Sequence, residues 1–326
     1  MTVQAIIFGG AGFIGSHLCS HLRETGRADR IVAADVQDPE TPVPDVVYRR
    51  VDVRAPIPTD LTEPADRTLV YNLAATHRTP GHRTHEYYET NVRGAVTVCD
   101  FARRIDCRDL VFTSSIAVYG PDETRKDETT PPTPESAYGW SKLLAEDVHR
   151  SWRAERPGRR LTIARPAVIF GRGEYGNFTR LALALAKGRF VYPGRRDTVK
   201  ACGYVGELVR AMEHVHDRGE SEVLFNFCYA KDYTISEICE SFHAVAGLGR
   251  PRGTIPLAAM MLAARVFETL NALGLRNAVN RDRVLKLVRS TNIEPGYLKS
   301  IGYDYATDLP SALALWRDDA PRGVFT

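Results

Sequence analysis

The sequence has no CxxC pair and no histidine–cysteine cluster at metal-ligand spacing, so no metal is expected and the zinc-finger and dithiol-redox classes are excluded. Its six cysteines (Cys19, Cys99, Cys107, Cys202, Cys228, Cys239) are scattered through apolar or helical stretches. That is the usage of a reduced, cytoplasmic protein rather than a disulfide scaffold. No concentrated basic block is present and the net charge is only +3, which argues against a nucleic-acid partner. No basic n-region or cleavage site precedes the first apolar run, so no secretory signal is expected. Uninterrupted apolar stretches of bilayer length are lacking too. The nearest, IPLAAMMLAARVFETLNALGL from Ile255 to Leu275, is broken by Arg265, Glu268 and Asn271, so no membrane span is expected. A buried or interface helix is its leading reading, with a peripheral membrane contact as the alternative. Internal repeats and low-complexity tails are absent.

What remains is the composition of a globular protein. The 326 residues, 44% apolar and 25% charged, suffice for one large or two modest domains. The first half alternates strand-like runs (VQAIIFGG, RIVAADV, VVYRRVDV, TLVYNLAA, DLVFTSSIAVYG, RLTIARPAVIFG) with helical patterns (FIGSHLCSHLRETG, NVRGAVTVCDFARRI, AYGWSKLLAEDVHRSWRAE). That rhythm predicts an α/β fold with a Rossmann-type, doubly wound parallel sheet. After Pro166 helical stretches dominate. The expected organisation is a dinucleotide-binding domain over 1–166, a segment near 198–230 that returns to it, and a smaller α/β substrate domain over 167–326. Asp122 to Ser136 reads as a polar, proline-rich loop.

GGAGFIG carries Gly9, Gly12 and Gly15 between the first strand and the first helix. Glycines there permit a tight turn and close approach of a pyrophosphate, which the helix N-terminus attracts. Asp35, at the end of the second strand, lies where an acidic residue binds the adenosine ribose and repels a 2′-phosphate. The expected cofactor is therefore NAD. Asp52 either meets the adenine edge or closes a strand-end turn.

Tyr138 and Lys142 in SAYGWSK are four residues apart on a helix, so they share a face. A free tyrosine titrates near pH 10. A lysine about 5 Å away, at an effective dielectric near 20, favours the phenolate by roughly 3 kcal/mol. That is about two pKa units, toward the range of a general base. Ser115, at the end of a buried strand, is placed to hydrogen-bond a substrate oxygen.

Taken together, GGAGFIG, NLAA (Asn72 to Ala75), NVRG with Asn91, TSSIAVYG and YGWSK resemble the extended short-chain dehydrogenase/reductase superfamily, in its nucleotide-sugar epimerase/dehydratase branch. The resemblance covers most of the chain. It implies catalytic Ser115, Tyr138 and Lys142, with Tyr138 as base toward a sugar hydroxyl, Lys142 also on the nicotinamide ribose, and Ser115 preferred to Ser114. It implies cofactor contacts from Gly9, Gly12, Phe13, Ile14, Gly15, Asp35, Asp52, Val53, Leu73, Ala74, Ala75, Asn91, Tyr138, Lys142 and Pro166. On the substrate side it implies Ser115, Asn177, Lys200 and Arg289, the last three toward a diphosphate. The alternatives are a helix cap for Asn177 and a surface lysine for Lys200. His77 faces the sugar or cofactor ribose, or is structural. Tyr192 is expected beside the base, and Cys202 is a second proton donor or a small buried thiol. Sugar dehydratases of the superfamily carry an Asp-Glu pair where this chain has Ile116-Ala117, so 4,6-dehydration is not expected. Val168 in place of an asparagine, and YVGEL in place of His-Val-x-Asp, leave the sugar open.

The leading expectation is an NAD-dependent isomerase, an epimerase of a nucleotide-diphosphate sugar at C4 acting through a transient 4-keto sugar. The alternative is an NAD(P)-dependent reductase of a 4-keto nucleotide sugar or a dehydrogenase of another alcohol. A non-catalytic dinucleotide-binding regulator would have lost Tyr138 or Lys142, and both are present. By analogy, the helices holding NVRGAVTVCDFARRI and AYGWSKLLAEDVHRSW form a homodimer interface.

Overall fold

An extended VQAIIF sends alternate side chains to opposite faces. In the computed structural model, which describes residues 1–78, 81–272, 288–320 and 325, this run is strand β1 (Val3–Phe8). Ala5 and Ile7 enter one hydrophobic cluster, and Ile6 and Phe8 enter another. The next strands are β2 (Arg30–Asp35), β3 (Val46–Arg50), β4 (Arg67–Asn72), β5 (Asp109–Thr113), β6 (Asp122–Lys126) and β7 (Arg160–Pro166). Then come β8 (Val168–Phe170), β9 (Tyr192–Pro193), β10 (Cys202–Tyr204), β11 (Glu222–Phe227), β12 (Thr254–Ile255) and β13 (Thr291–Ile293). Seven of them form one parallel sheet in the order β11-β7-β5-β4-β1-β2-β3. The order reverses between β1 and β4, so the C-terminal ends of these strands open a crevice.

The α-helices of the described residues, in chain order, are α1 (Phe13–Glu24), α2 (Thr84–Tyr87), α3 (Gly94–Arg104), α4 (Ala137–Ala154), α5 (Asn177–Ala186), α6 (Val205–Asp217), α7 (Ile235–Ala246), α8 (Leu257–Ala272), α9 (Gly296–Ser300) and α10 (Leu309–Asp319). Leu18 and Leu22 of α1 join Leu208 and Met212 of α6 on one face of the sheet. Val98 and Phe101 of α3 join Ala145 and Trp152 of α4 on the other. The doubly wound sheet expected from the alternation is therefore present, covered on both faces as a parallel sheet requires. A separate aromatic core, with Phe170, Phe178, Tyr229, Phe242 and Trp316, holds the later elements together.

Three elements differ from expectation. The polar loop contains strand β6, because its backbone pairs with β13 and the Lys126 ammonium is drawn inward onto the Tyr119 carbonyl at 3.0 Å. The single strand expected over RLTIARPAVIFG ends at Pro166, which has no N–H to extend a ladder. β8 then leaves to pair with β10. The apolar Ile255–Leu275 run begins its helix at Leu257; Ala264 is buried, but Ile255, Leu257 and Leu262 are exposed. Residues 273–275 of that run, and Lys286 and Leu287 of the predicted C-terminal segment, lie outside the described residues.

One close approach fixes α4. A Cβ on Gly139 would stand 2.4 Å from the Ala117 carbonyl oxygen and 3.1 Å from Pro134 Cβ. Only glycine lets the first turn of α4 lie on the short 3-10 turn Ile116–Tyr119. Ser136 caps the helix, its hydroxyl accepting from Gly139 N–H at 3.1 Å. Gly139→Val is expected to lower stability by about 1–3 kcal/mol, the cost of overpacking. Urea unfolding beside wild type measures this; an unchanged midpoint would show that the contact is not constraining.

Candidate active site

Backbone geometry shapes the glycine loop. Gly9 has φ 81°, a left-handed conformation suited to glycine. A Cβ on Gly9 would lie 2.8 Å from Ala74 N, and one on Gly15 would lie 2.1 Å from the Gly9 carbonyl. Gly12 differs, since its Cβ would meet only Gly9 O at 3.3 Å. Its outer side is the open approach a pyrophosphate needs. No side chain caps the N-terminus of α1 and no acid occupies its first turn, which leaves its N–H groups available to an anion. Ala11 N–H donates to Asp35 Oδ2 at 3.1 Å, tying the acidic residue to the loop. Phe13 stacks edge-on to His17 at 5.5 Å at the loop's outer side, and Ile14 packs against the core.

Other predicted cofactor residues shape the crevice indirectly. Val53 is buried, in close contact with Gly94. Leu73, Ala74 and Ala75 follow the C-terminal end of β4, where Leu73 N–H donates to Phe8 O at 2.8 Å. Pro166 closes β7 opposite Phe227. Asp52 is engaged by the Arg54 guanidinium at 2.7 Å, which holds its carboxyl below the usual range. The turn reading of Asp52 thus describes this geometry. Asn91 lies in a π-helical turn, Tyr88–Arg93, a distortion frequent at functional sites. Its amide accepts from Thr76 N–H at 2.9 Å and donates to Thr76 O at 3.1 Å and Ser141 Oγ at 2.8 Å. Asn91 therefore clamps the loop after β4 onto α4, with its polar atoms already satisfied.

The Ser115 hydroxyl accepts from Ala117 N–H at 3.1 Å. It lies near enough to the Tyr138 phenol to draw its pKa down, while burial, the larger effect, pushes it up. Lys142 is fully buried in the same helix. Its ammonium donates to the Thr113 carbonyl at 2.7 Å and lies 4.9 Å from the Phe112 ring centre. A buried cation takes the nearest carbonyl, here at the end of β5, and desolvation pushes its pKa down to about 7. The aromatic side chain nearest the base is Tyr87, with ring centres 6.2 Å apart. Tyr192, expected there, is buried in the second core, its hydroxyl 3.5 Å from Ser236 of α7. Its strand β9 pairs with β12.

Beneath the trio runs a buried network that sequence reading missed. Glu146, one further turn along α4, receives both Arg165 Nε and Nη2 at 2.8 and 2.7 Å. Ser114 donates to Glu146 at 2.6 Å, so its hydroxyl is already engaged. Arg165 also reaches the Tyr119 hydroxyl at 2.7 Å, and Tyr119 donates to Asn226 at 3.0 Å. The signal for Glu146 was its spacing from Tyr138 and Lys142 on one helix face.

On the substrate side, Lys200 and Arg289 come together from distant segments. The Lys200 ammonium donates to the Arg289 carbonyl at 2.7 Å, and burial pushes its pKa down to about 8. Arg289 in turn pairs at 3.8 Å with Glu135, three residues before Tyr138. Asn177 is the first residue of α5 rather than its cap, which is Gly176; it accepts from Arg180 at 3.0 Å. The buried Glu174 carboxylate serves the start of α5 through Thr179 N–H at 2.9 Å. His77 stands at the surface, yet local desolvation and then the Lys142 charge hold its imidazole below the usual range. Cys202 is a buried thiol whose pKa desolvation raises.

Residues 5–228 match the model of the NAD dependent epimerase/dehydratase family. The chain belongs to that family. An Escherichia coli O157:H7 relative, N-acetyl-alpha-D-glucosaminyl-diphospho-ditrans,octacis-undecaprenol 4-epimerase, is 30% identical over 93% of this chain and 91% of its own. A UDP-glucose 4-epimerase of Lactobacillus helveticus is 25% identical over 76% of this chain and 83% of its own. The solved UDP-glucose 4-epimerase of Thermus thermophilus, a complex with NAD, superposes with a TM-score of 0.73 at 22% identity, covering 97% of this chain and 98% of its own.

The family's cofactor fits the residues present. The open side of Gly12, the uncapped α1 N-terminus and the loop-held Asp35 suit NAD's pyrophosphate and ribose. Lys142 makes the stability of the fold depend on pH. Its folded pKa of about 7 lies below its ordinary 10.5. Between those values the unfolded chain holds a proton that the folded chain has released, so stability from this group rises with pH. Wild type should therefore gain stability relative to Lys142→Met as pH rises from about 7 toward 10.5. Urea unfolding of both proteins across that window tests it; a constant difference would contradict the shift.

Proposed function

We propose that this chain is an NAD-dependent C4 epimerase of a nucleotide-diphosphate sugar, with Ser115, Tyr138 and Lys142 as its reacting set. The observation that carries the reading is the Ser115 hydroxyl beside the Tyr138 phenol, with Lys142 one turn along the same helix, in a chain of this family. When bound, NAD would supply the acceptor and donor for the C4 hydride. The Tyr138 oxygen takes the C4 hydroxyl proton as the ketose forms and gives it back when the alcohol is restored. Ser115 Oγ holds the same sugar oxygen through that change. Lys142 in its charged form favours the phenolate and binds the nicotinamide ribose. Lys200 and Arg289 hold the diphosphate, with Asn177 beside it, and His77 faces the sugar. Neither Ile116 nor Ala117 carries a transferable proton, so water elimination has no acid–base pair there.

A second reading concerns only the carrier of the sugar. The E. coli relative covering 93% of this chain acts, by its name, on a sugar diphosphate esterified to undecaprenol. Cations that recognise a diphosphate accept either carrier, so a polyprenyl diphosphate sugar is the alternative substrate class. Chemistry of the nucleotide-sugar kind fits a cytoplasmic enzyme.

The epimerase reading makes a joint prediction. Freshly purified protein, once denatured, should release near-stoichiometric NAD(H), because an epimerase regenerates its cofactor. Tyr138→Phe should retain that nucleotide while interconversion of C4-epimeric UDP-sugars falls by roughly 10²–10⁴-fold, the contribution of a general base. Near-normal turnover in Tyr138→Phe would remove the base from the scheme. Turnover that requires added NAD(P)H in stoichiometric amount would favour the reductase.

We also propose a homodimer through α3 and α4, where Val96, Trp140 and Leu144 stand exposed. Light scattering should give twice the chain mass, and Trp140→Glu should shift it toward monomer. A monomer in wild type would dismiss the interface.

A further inference from the structure

We propose that β12 and the first turns of α8 form a membrane-docking face that seats the protein on an anionic bilayer. This rests on the polyprenyl-carrier reading above and goes beyond it by naming where the lipid phase is met.

The first turns of α8, before the exposed Arg265, are apolar where they face solvent. Leu262 is 64% exposed, Ile255 41% and Leu257 37%. Ala258, Ala259 and Ala263 are exposed between them. A water-facing helix normally carries charge on that side; here no acidic residue occurs between Glu240 and Glu268. Contiguous exposed apolar surface of this kind marks an interaction site. The helix is too short and too interrupted to span, and no helix among the described residues is long and apolar enough to cross a membrane. Lying in the interface remains as its membrane geometry.

Charge around the helix selects the partner. Lys187, Arg189, Arg196 and Arg252 are exposed; Arg250, exposed too, pairs with Glu240 at 3.0 Å. The Arg252 guanidinium lies 3.6 Å from where a Gly188 Cβ would stand, between Lys187 and Arg189. Arg196 Nε donates to Thr254 Oγ1 at 3.2 Å, at the start of β12. Apolar side chains rimmed by arginine suit anionic lipid headgroups over acyl chains. An apolar protein partner would not call for the basic rim.

The same face is continuous with the candidate diphosphate residues. Gly194 N–H donates to Ile255 O at 2.9 Å. A Cβ on Gly194 would lie 3.0 Å from Val288, which precedes Arg289. The Arg289 carbonyl receives the Lys200 ammonium. The proposal sets the carrier end of a sugar diphosphate held by Lys200 and Arg289 toward β12, with a polyprenyl chain beside the apolar helix and the bilayer below it.

Vesicle co-sedimentation of the full-length protein tests the face without using catalysis. Wild type should pellet with phosphatidylcholine vesicles containing phosphatidylglycerol, and less with phosphatidylcholine alone or in high salt. Leu262→Asp should weaken binding about tenfold or more, the worth of one buried leucine. Arg252→Gln should weaken it about fivefold, the contribution of one basic residue near an anionic surface. Tyr138→Phe should bind as wild type does, so loss of the epimerase reading would leave this result standing. Wild type that stays in the supernatant at low salt would overturn the proposal. So would binding indifferent to both substitutions. Leu262→Asp that instead dissociates a dimer in light scattering, without affecting vesicles, would assign the face to a second copy.

Discussion

The candidate site depends on one buried ion pair, Glu146 with Arg165. Glu146 projects from α4 and Arg165 from β7, and both are almost wholly shielded from water. Their two parallel hydrogen bonds permit one rotation of α4 about its axis and little else. Tyr138 and Lys142 ride on the same helix face, two turns and one turn earlier. Whatever sets Glu146 therefore sets the direction of both. The pair also collects Ser114 and, through Arg165, Tyr119. These flank Ser115 and the turn on which α4 begins. Burying two charges costs desolvation, and such a pair is weak evidence for stability. Its value here is register: the reacting hydroxyls are placed by an interaction that does not itself touch them.

The other half of the crevice is built by exclusion rather than attraction. Gly9, Gly15 and Gly139 each stand where a Cβ would meet backbone at 2.8 Å or less. The glycine loop lies against the end of β4, and α4 lies against the turn after β5. Asn91 joins these two regions by fastening Thr76 to Ser141. Cofactor side and sugar side are thus held at a fixed spacing by backbone contact and one amide.

Features carried by local period or by turn chemistry were legible in the sequence. The strand–helix rhythm predicted the doubly wound sheet. Glycine spacing placed the loop before α1, and Asp35 fell at the end of β2 where the loop's Ala11 could reach it. Tyr138 and Lys142 were legible because a helix puts i and i+4 on one face. What escaped was long-range pairing. Arg165 has no local mark that it will meet Glu146, and β6 becomes a strand only because β13 arrives beside it. The pairing of Tyr192's strand with β12 likewise has no local mark. Lys142 shows the limit most plainly: spacing gave its face, but the Thr113 carbonyl, supplied by the next strand over, decided where its ammonium rests.

That last difference bears on how such a site controls its proton. Desolvation raises the pKa of a phenol and lowers that of an ammonium. Tyr138 is pushed up and Lys142 is pushed down to about 7 by the same cause. Burial in this geometry therefore favours a neutral phenol. The Ser115 hydroxyl pulls the other way, as the smaller effect. Positive charge beside the phenol offsets that burial, which is the part the proposed mechanism gives to the Lys142 ammonium and to a bound nicotinamide ring.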